Sequence, residues 1–144
     1  MISLTRKTSI LSYVVAVAAL LGFFDASYLA LKHFQGIAPT CTLLEGCEVV
    51  TTSSYAVVFG IPVALAGGFY YLAVLLLAVA FIDLPQRWKI DAAALMVSVG
   101  MLATVWFVYL QIFVIHAFCL YCLFSALTTT VLFALVVSIR RIVR

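Results

Sequence analysis

The chain has 144 residues, of which 67% are hydrophobic and only 9% are charged. A water-soluble domain of this size needs far more charge on its surface, so the composition excludes an ordinary soluble protein. The net charge of +3 comes from basic residues that cluster beside the apolar segments, which indicates membrane topology rather than a nucleic-acid partner. We predict a single domain over residues 1–144.

Four membrane spans follow one another along the chain. The first runs roughly from Ile10 to Leu31, and the second runs roughly from Ile61 to Ile82. From Ala92 to Ile139 the sequence is apolar almost without a pause. At about 1.5 Å per residue this stretch far exceeds a hydrocarbon core of about 30 Å, so it must form two spans. We place the break at 116–118, the most polar point available.

The basic residues predict the orientation of the four spans. Only Lys32 lies on one side of the membrane, and the remaining basic residues lie on the other: Arg6, Lys7, Arg87, Lys89, Arg140, Arg141 and Arg144. The positive-inside rule makes the richly basic side cytoplasmic. We therefore predict a multi-pass protein of the cytoplasmic (inner) membrane with both termini in the cytoplasm. The outer side then holds a loop over 33–60 and a short turn near His116.

All four cysteines fall on the predicted outer side, where disulfides can form. Cys41 and Cys47 lie in the outer loop, and Cys119 and Cys122 form a C-x-x-C motif at the start of the fourth span. The helix dipole at that point favours a thiolate, chiefly on Cys119, and the i, i+3 spacing puts both sulfurs on one helical face. A mobile pair beside a fixed pair suits a relay by thiol–disulfide exchange.

Two other interpretations of the cysteines stay open. Two structural disulfides, or buried free thiols, would make the chain a structural or assembly subunit. Four cysteines with His116 could instead hold zinc or a softer metal, as in a membrane metal-binding or transport protein. The oxidising side and a C-x-x-C motif that runs into a membrane helix favour redox chemistry over both.

At this point the residues resemble the bacterial branch of the vitamin K epoxide reductase family. The resemblance rests on the outer-loop pair of cysteines, the Ser-Ser-Tyr segment at 53–55, the Phe-Gly-Ile-Pro segment at 59–62, and the late C-x-x-C motif. In the disulfide bond formation protein B family, a functional analogue, the C-x-x-C pair lies in the first outer loop. The order of the motifs therefore favours the vitamin K epoxide reductase family.

The resemblance implies an all-α membrane protein, a four-transmembrane-helix bundle around a quinone with a short outer cap helix near 53–58. It implies a thiol:quinone oxidoreductase that reoxidises a thioredoxin-like partner and reduces ubiquinone or menaquinone, which supports disulfide bond formation. Cys41 would exchange with the partner. Cys47 would pass electrons to Cys119, and Cys122 would reduce the quinone.

Two departures from the family pattern refine these expectations. Animal members carry an asparagine in the cap helix and a tyrosine four residues after the C-x-x-C motif, both associated with vitamin K binding. The matching positions here are Ala56 and Ala126, which favours ordinary quinone reduction over epoxide reduction. Many bacterial members also carry a fused thioredoxin-like domain. This chain ends at Arg144, so we expect the partner to be a separate protein.

Five further residues are candidates for the quinone pocket. By resemblance, Ser53 matches the serine of the family pattern, and Tyr55 and Phe59 would lie at the quinone ring. Asp25 lies about 9 Å inside the outer end of the first span, where it either donates a proton to the reduced quinone or ties helices together by hydrogen bonds. His116 either stabilises a thiolate and supplies a proton, or is a solvated interfacial histidine.

Overall fold

The computed structural model describes residues 3–39, 41 and 46–144. The elements in chain order are α1 (Arg6–Gln35), α2 (Cys47–Thr51), a 3-10 helix (Ser54–Ala56), β1 (Val57–Val58), β2 (Ile61–Pro62), α3 (Val63–Asp83), α4 (Arg87–Tyr109), a π-helical turn (Leu110–Ile115) and α5 (Leu120–Val143). Among these described residues, four helical segments are long and apolar enough to cross a membrane: α1, α3, α4 with its π-helical turn, and α5. The predicted all-α bundle of four transmembrane helices is therefore confirmed.

The predicted break in the long apolar stretch is also confirmed. The π-helical turn ends at Ile115, and α5 begins at Leu120. His116 adopts the left-handed conformation, with φ 57° and ψ 33°, and this conformation ends the helix because it cannot continue the helical hydrogen-bond ladder. The short connection holds the end of α4 close to the start of α5.

Small residues on the helix faces let the bundle pack closely. The helix α1 packs on α3 and α5, and α4 packs on the same two helices. A Cβ atom added to Gly22 would lie 2.5 Å from Cδ1 of Tyr71, so glycine alone lets α1 approach this ring. The buried core lies around the tyrosine and comprises Val15, Ala19, Ala26, Val74, Ala78, Phe81, Ile90, Ala93, Ala94, Val97, Leu132, Val136 and Ile139.

One buried hydrogen-bond network ties α3 to α5. The Tyr71 hydroxyl is 2.7 Å from Oγ of Ser125 and 3.0 Å from Oγ1 of Thr129, and it donates to the Ser125 carbonyl at 2.9 Å. The tyrosine is only 1% exposed, so an unpaired hydroxyl here would be costly. The network therefore fixes the rotation of α3 against α5.

The outer segment differs from the cap helix predicted near 53–58. Within that range the structure is helical only at Ser54–Ala56, and the chain then forms β1, which pairs antiparallel with β2. The β-branched residues of β1 favour an extended backbone. Phe59 and Gly60 both have positive φ, 52° and 77°, as in a type I′ hairpin turn. The cap is therefore one turn of α2, one turn of 3-10 helix and a short hairpin.

Candidate active site

The four cysteines lie together at one end of the bundle. Cys41 and Cys47 form a disulfide with their Cα atoms 6.1 Å apart, whereas Cys119 and Cys122 are free thiols. Cys47 is 1% exposed and Cys119 is 0% exposed, and they share one buried cluster with Val50. Cys41 and Cys122 pack against this cluster and are partly buried. The fold thus packs the two cysteines of the outer loop against the two cysteines at the start of α5.

A close backbone contact holds the loop pair against the C-x-x-C motif. The Leu120 amide donates a hydrogen bond to Sγ of Cys47 at 3.3 Å. Next to it, a Cβ atom added to Gly46 would lie 2.6 Å from the backbone nitrogen of Phe118 and nearer still to the Phe118 carbonyl oxygen. A side chain at position 46 would therefore push the loop away from α5.

The π-helical turn positions a glutamine that sequence reasoning missed. Gln111 is 3% exposed, and its Oε1 accepts a hydrogen bond from the Cys119 amide at 3.0 Å. Its backbone carbonyl accepts a second hydrogen bond from the Ala117 amide at 3.2 Å. Gln111 therefore satisfies one of the free amide groups at the start of α5 and fixes the backbone of Cys119. The sequence did contain a signal for this role, because an isolated glutamine inside an apolar span needs a polar partner.

The start of α5 also changes the acidity of Cys119. A hydrogen bond from the Cys122 side chain lowers the pKa of the Cys119 thiol from 9.0 to about 7, and the backbone amides of Cys122 and Tyr121 act in the same direction. Burial opposes this effect because it disfavours a charged sulfur. Near neutral pH, Cys119 is therefore an effective nucleophile for disulfide exchange.

A cavity of about 340 Å³ lies within the bundle, directly beside Cys122. Four of the predicted site residues line it: Asp25, Ser53, Tyr55 and Cys122. The walls are mainly apolar, and the volume is within the usual range for small-molecule sites. Ser53 also donates a hydrogen bond to the Val50 carbonyl at 2.8 Å, which connects the cavity wall to α2.

Two of the five residues predicted for the quinone pocket lie outside the cavity lining. Phe59 is at the tip of the hairpin with its side chain 99% exposed, because the type I′ turn directs it away from the bundle. The structure therefore does not bring Phe59 to the place expected for the quinone ring. His116 is exposed in the connection before α5 and does not line the cavity either.

Two polar atoms on the cavity wall have no hydrogen-bond partner among the residues that the structure describes. They are Oδ2 of Asp25 on α1 and the hydroxyl of Tyr70 on α3, and both atoms are buried. The alternative in which Asp25 ties the helices together is therefore not supported for Oδ2. Sequence reasoning missed Tyr70, because nothing in the sequence distinguishes it from Tyr71.

The described residues give no support to the metal-binding alternative. Within 3–39, 41 and 46–144, no three His, Cys, Asp or Glu side chains are placed so that they could hold a metal ion together. Two of the four sulfur atoms are joined in a disulfide, which removes them as ligands.

The chain matches the model of a known protein family. The model of the vitamin K epoxide reductase family matches residues 13–137, which is most of the chain. The matched range contains the four cysteines, both sides of the hairpin and the helical segments that form the cavity.

Proposed function

Because this chain belongs to the vitamin K epoxide reductase family, whose members are membrane oxidoreductases that act on thiols and quinones, we propose that it reoxidises a thioredoxin-like protein. Electrons would pass through the two cysteine pairs to a quinone, so that new disulfides are made. One observation carries the proposal: Cys122 lines the cavity, while its partner Cys119 lies against Cys47 in the buried cluster.

The outer pair accepts electrons from the protein partner. A thiolate of the reduced partner attacks Sγ of Cys41, the more exposed sulfur of the pair, and the bond to Cys47 breaks. The second thiolate of the partner then resolves the mixed disulfide. The partner leaves with a disulfide, and Cys41 and Cys47 are left reduced by two electrons.

The inner pair receives these electrons through an inter-loop disulfide. The Cys47 thiolate attacks Cys119 of an oxidised C-x-x-C pair, and Cys122 leaves as a thiolate. Cys41 then attacks Cys47, which re-forms the outer disulfide and releases Cys119. The resulting state has an outer disulfide and two inner thiols, which is the state of the structure.

The last step joins Cys119 and Cys122 in a disulfide. Their two electrons and two protons leave together, and a quinone is a substrate that accepts both to become a hydroquinone. Cys122 is the sulfur on the cavity side, and the more acidic Cys119 is the nucleophile that closes the disulfide. Ubiquinone and menaquinone both fit this chemistry.

Quinone reduction is a better proposal than epoxide reduction for this cavity. Ala56 and Ala126, which occupy the positions of the asparagine and tyrosine of animal members, both line it. Neither side chain can donate a hydrogen bond, so the contacts associated with vitamin K are missing at these two positions.

We further propose that the cysteines face the outer side of the inner membrane, with both termini in the cytoplasm, because the basic residues cluster on the opposite side. A variant that keeps only Cys41 tests this orientation. A membrane-impermeant maleimide should label it in intact cells and not in sealed inverted vesicles. Preferential labelling in the inverted vesicles would reverse the proposed topology.

Reconstitution tests the proposed reaction directly. The purified chain in lipid vesicles, with a quinone and a reduced thioredoxin-like protein, should bleach the quinone absorbance and oxidise the protein in equal amounts. Cys119→Ala and Cys122→Ala should each abolish turnover while the fold survives, because each removes one sulfur of the final disulfide. Near-normal quinone reduction by either variant would contradict the electron path.

A further inference from the structure

The cavity beside Cys122 contains a pair of polar groups that the fold does not use. Oδ2 of Asp25 and the hydroxyl of Tyr70 reach it from the neighbouring helices α1 and α3, and neither has a hydrogen-bond partner among the described residues. Burying a polar group without a partner is costly, so groups of this kind are rare unless a ligand completes them. Two of them on one cavity wall indicate a ligand with two hydrogen-bonding atoms.

The neighbouring tyrosine shows what a structural hydroxyl looks like in this bundle. The Tyr71 hydroxyl is surrounded by Ser125 and Thr129 and has its hydrogen bonds within the protein. Tyr70 packs edge-on against it, with ring centroids 5.0 Å apart, yet its own hydroxyl makes no hydrogen bond of normal geometry within the described part of the chain. The difference between adjacent tyrosines sets Tyr70 apart from the packing network.

A glycine on α4 makes room for the ring of Tyr70. A Cβ atom added to Gly100 would lie 2.6 Å from both the hydroxyl oxygen and Cζ of Tyr70. Glycine at this position therefore leaves the slot in which the hydroxyl lies. Gly100 also lines the cavity, so the slot opens onto the space beside Cys122.

We propose that Asp25 and Tyr70 donate the hydrogen bonds that hold the two ring carbonyl groups of the quinone in this cavity. This inference rests on the proposed function. A quinone ring offers two acceptors and no donor, so it can accept one hydrogen bond from a phenol and one from a protonated carboxylic acid, and these groups reach the cavity from α3 and α1. The donors replace those that Ala56 and Ala126 do not supply, and they come from other helices.

The test compares a diketone with a monoketone. 1,4-Naphthoquinone carries both carbonyl groups, and 1-tetralone carries one on a fused ring system of the same size. Isothermal titration of the detergent-solubilised chain should show about fivefold tighter binding of the quinone, which is the factor expected for one hydrogen bond between neutral partners. Equal affinities would overturn the proposal without any mutation.

Isosteric variants then identify the donors. Asp25→Leu and Tyr70→Phe should each weaken quinone binding about fivefold, because neither new side chain can donate a hydrogen bond, and at least one of the variants should bind 1-tetralone as wild type does. Gly100→Ala should reproduce the Tyr70→Phe loss because it displaces the hydroxyl. Gly68→Ala is the matched control, since an added Cβ there meets nothing within 4 Å. Unchanged quinone affinity in both Asp25→Leu and Tyr70→Phe would refute the inference.

Thermal stability separates a ligand-binding role from a structural one. Tyr70→Phe should leave the melting temperature of the ligand-free protein unchanged or raise it, because it removes an unsatisfied buried group. Tyr71→Phe should lower the melting temperature, because it breaks a satisfied network. If Tyr70→Phe lowers the melting temperature as much as Tyr71→Phe does, Tyr70 has a structural role and the assignment is wrong. A wild-type chain that binds and reduces no quinone would instead refute the proposed function.

Discussion

Replacing Gly46 with alanine tests whether the two cysteine pairs exchange through the close contact seen in the structure. The added Cβ would lie 2.6 Å from the Phe118 nitrogen, whereas ordinary carbon contacts are about 3.5 Å. The loop must therefore move by about 1 Å. Gly46 has φ −85° and ψ −6°, a conformation that alanine adopts freely, so backbone strain adds nothing to the effect.

The displacement acts on the one step that needs Cys47 and Cys119 to meet. Moving the loop by about 1 Å stretches the 3.3 Å hydrogen bond from Leu120 to Cys47 and misaligns the attacking sulfur. A misplacement of about 1 Å can slow a reaction by about 100-fold. We therefore expect Gly46→Ala to slow electron transfer from the outer to the inner pair by about 10- to 100-fold.

Rapid mixing with a reduced partner measures this step. Samples quenched in acid, alkylated and analysed by mass spectrometry give the rate at which the C-x-x-C pair becomes reduced. Gly68→Ala is the control, because an added Cβ there meets no atom within 4 Å. A Gly46→Ala rate equal to wild type would refute the reasoning. Quinone reduction by a chemically pre-reduced inner pair should stay normal; an equal loss there would show that the cavity was damaged instead.

Three further outcomes are expected. Gln111→Leu should lower the free energy of unfolding by about 1–3 kcal/mol, because the buried Cys119 amide loses its hydrogen-bond acceptor. Denaturation in detergent measures this free energy, and an unchanged value would contradict the role of Gln111 in capping α5. The rate of single-turnover quinone reduction should fall about tenfold per pH unit below about pH 7, because the Cys119 thiolate, whose pKa is lowered to about 7, becomes protonated there. A rate that stays constant from about pH 5.5 to 8 would exclude this thiolate as the nucleophile. Cys47→Ala, mixed with the oxidised partner, should accumulate a mixed disulfide through Cys41, because the Cys41 thiolate opens the partner's disulfide and Cys47 is absent to complete the exchange. Cys122→Ala should enrich the Cys47–Cys119 link, which forms when Cys119 attacks Cys47 and Cys41 leaves. Non-reducing mass spectrometry would show the reversed assignment as a partner trapped on Cys47 in Cys41→Ala.

The sequence was sufficient to predict the spans, because a membrane span is identified by the length and the apolar composition of a segment. The long stretch from Ala92 to Ile139 had to contain two spans, and its most polar point at His116 is where the structure places the break. The convergence of the four cysteines at one end of the bundle also followed from hydropathy and charge alone.

The fine structure of the cavity depends on helix rotation, which the sequence does not reveal. Tyr70 and Tyr71 are equivalent in a uniformly apolar span, and only the packing against Gly22 and Gly100 decides which hydroxyl faces Ser125 and which faces the cavity. Gln111 contacts Cys119 because a π-helical turn changes the register of α4, and no propensity predicts that turn.

The hairpin shows a competition between local and family-derived signals. The resemblance implied helix near 53–58, but two adjacent valines followed by Phe59-Gly60 favour a tight turn between extended residues. Phe59 consequently lies at the tip of that turn rather than in the cavity. Local backbone preference therefore ends the expected helix at Ala56.

The burial of Cys47 and Cys119 has a consequence for leakage of reducing equivalents. A small thiol diffusing in water, such as glutathione, cannot touch a sulfur that is 1% or 0% exposed, so within the outer disulfide it can react only at Cys41. In the proposed relay, electrons enter only at that sulfur and leave only through the cavity. Small thiols and the protein partner would therefore meet the relay at the same sulfur, and the buried Cys47 and Cys119 would pass electrons on only after Cys41 has reacted.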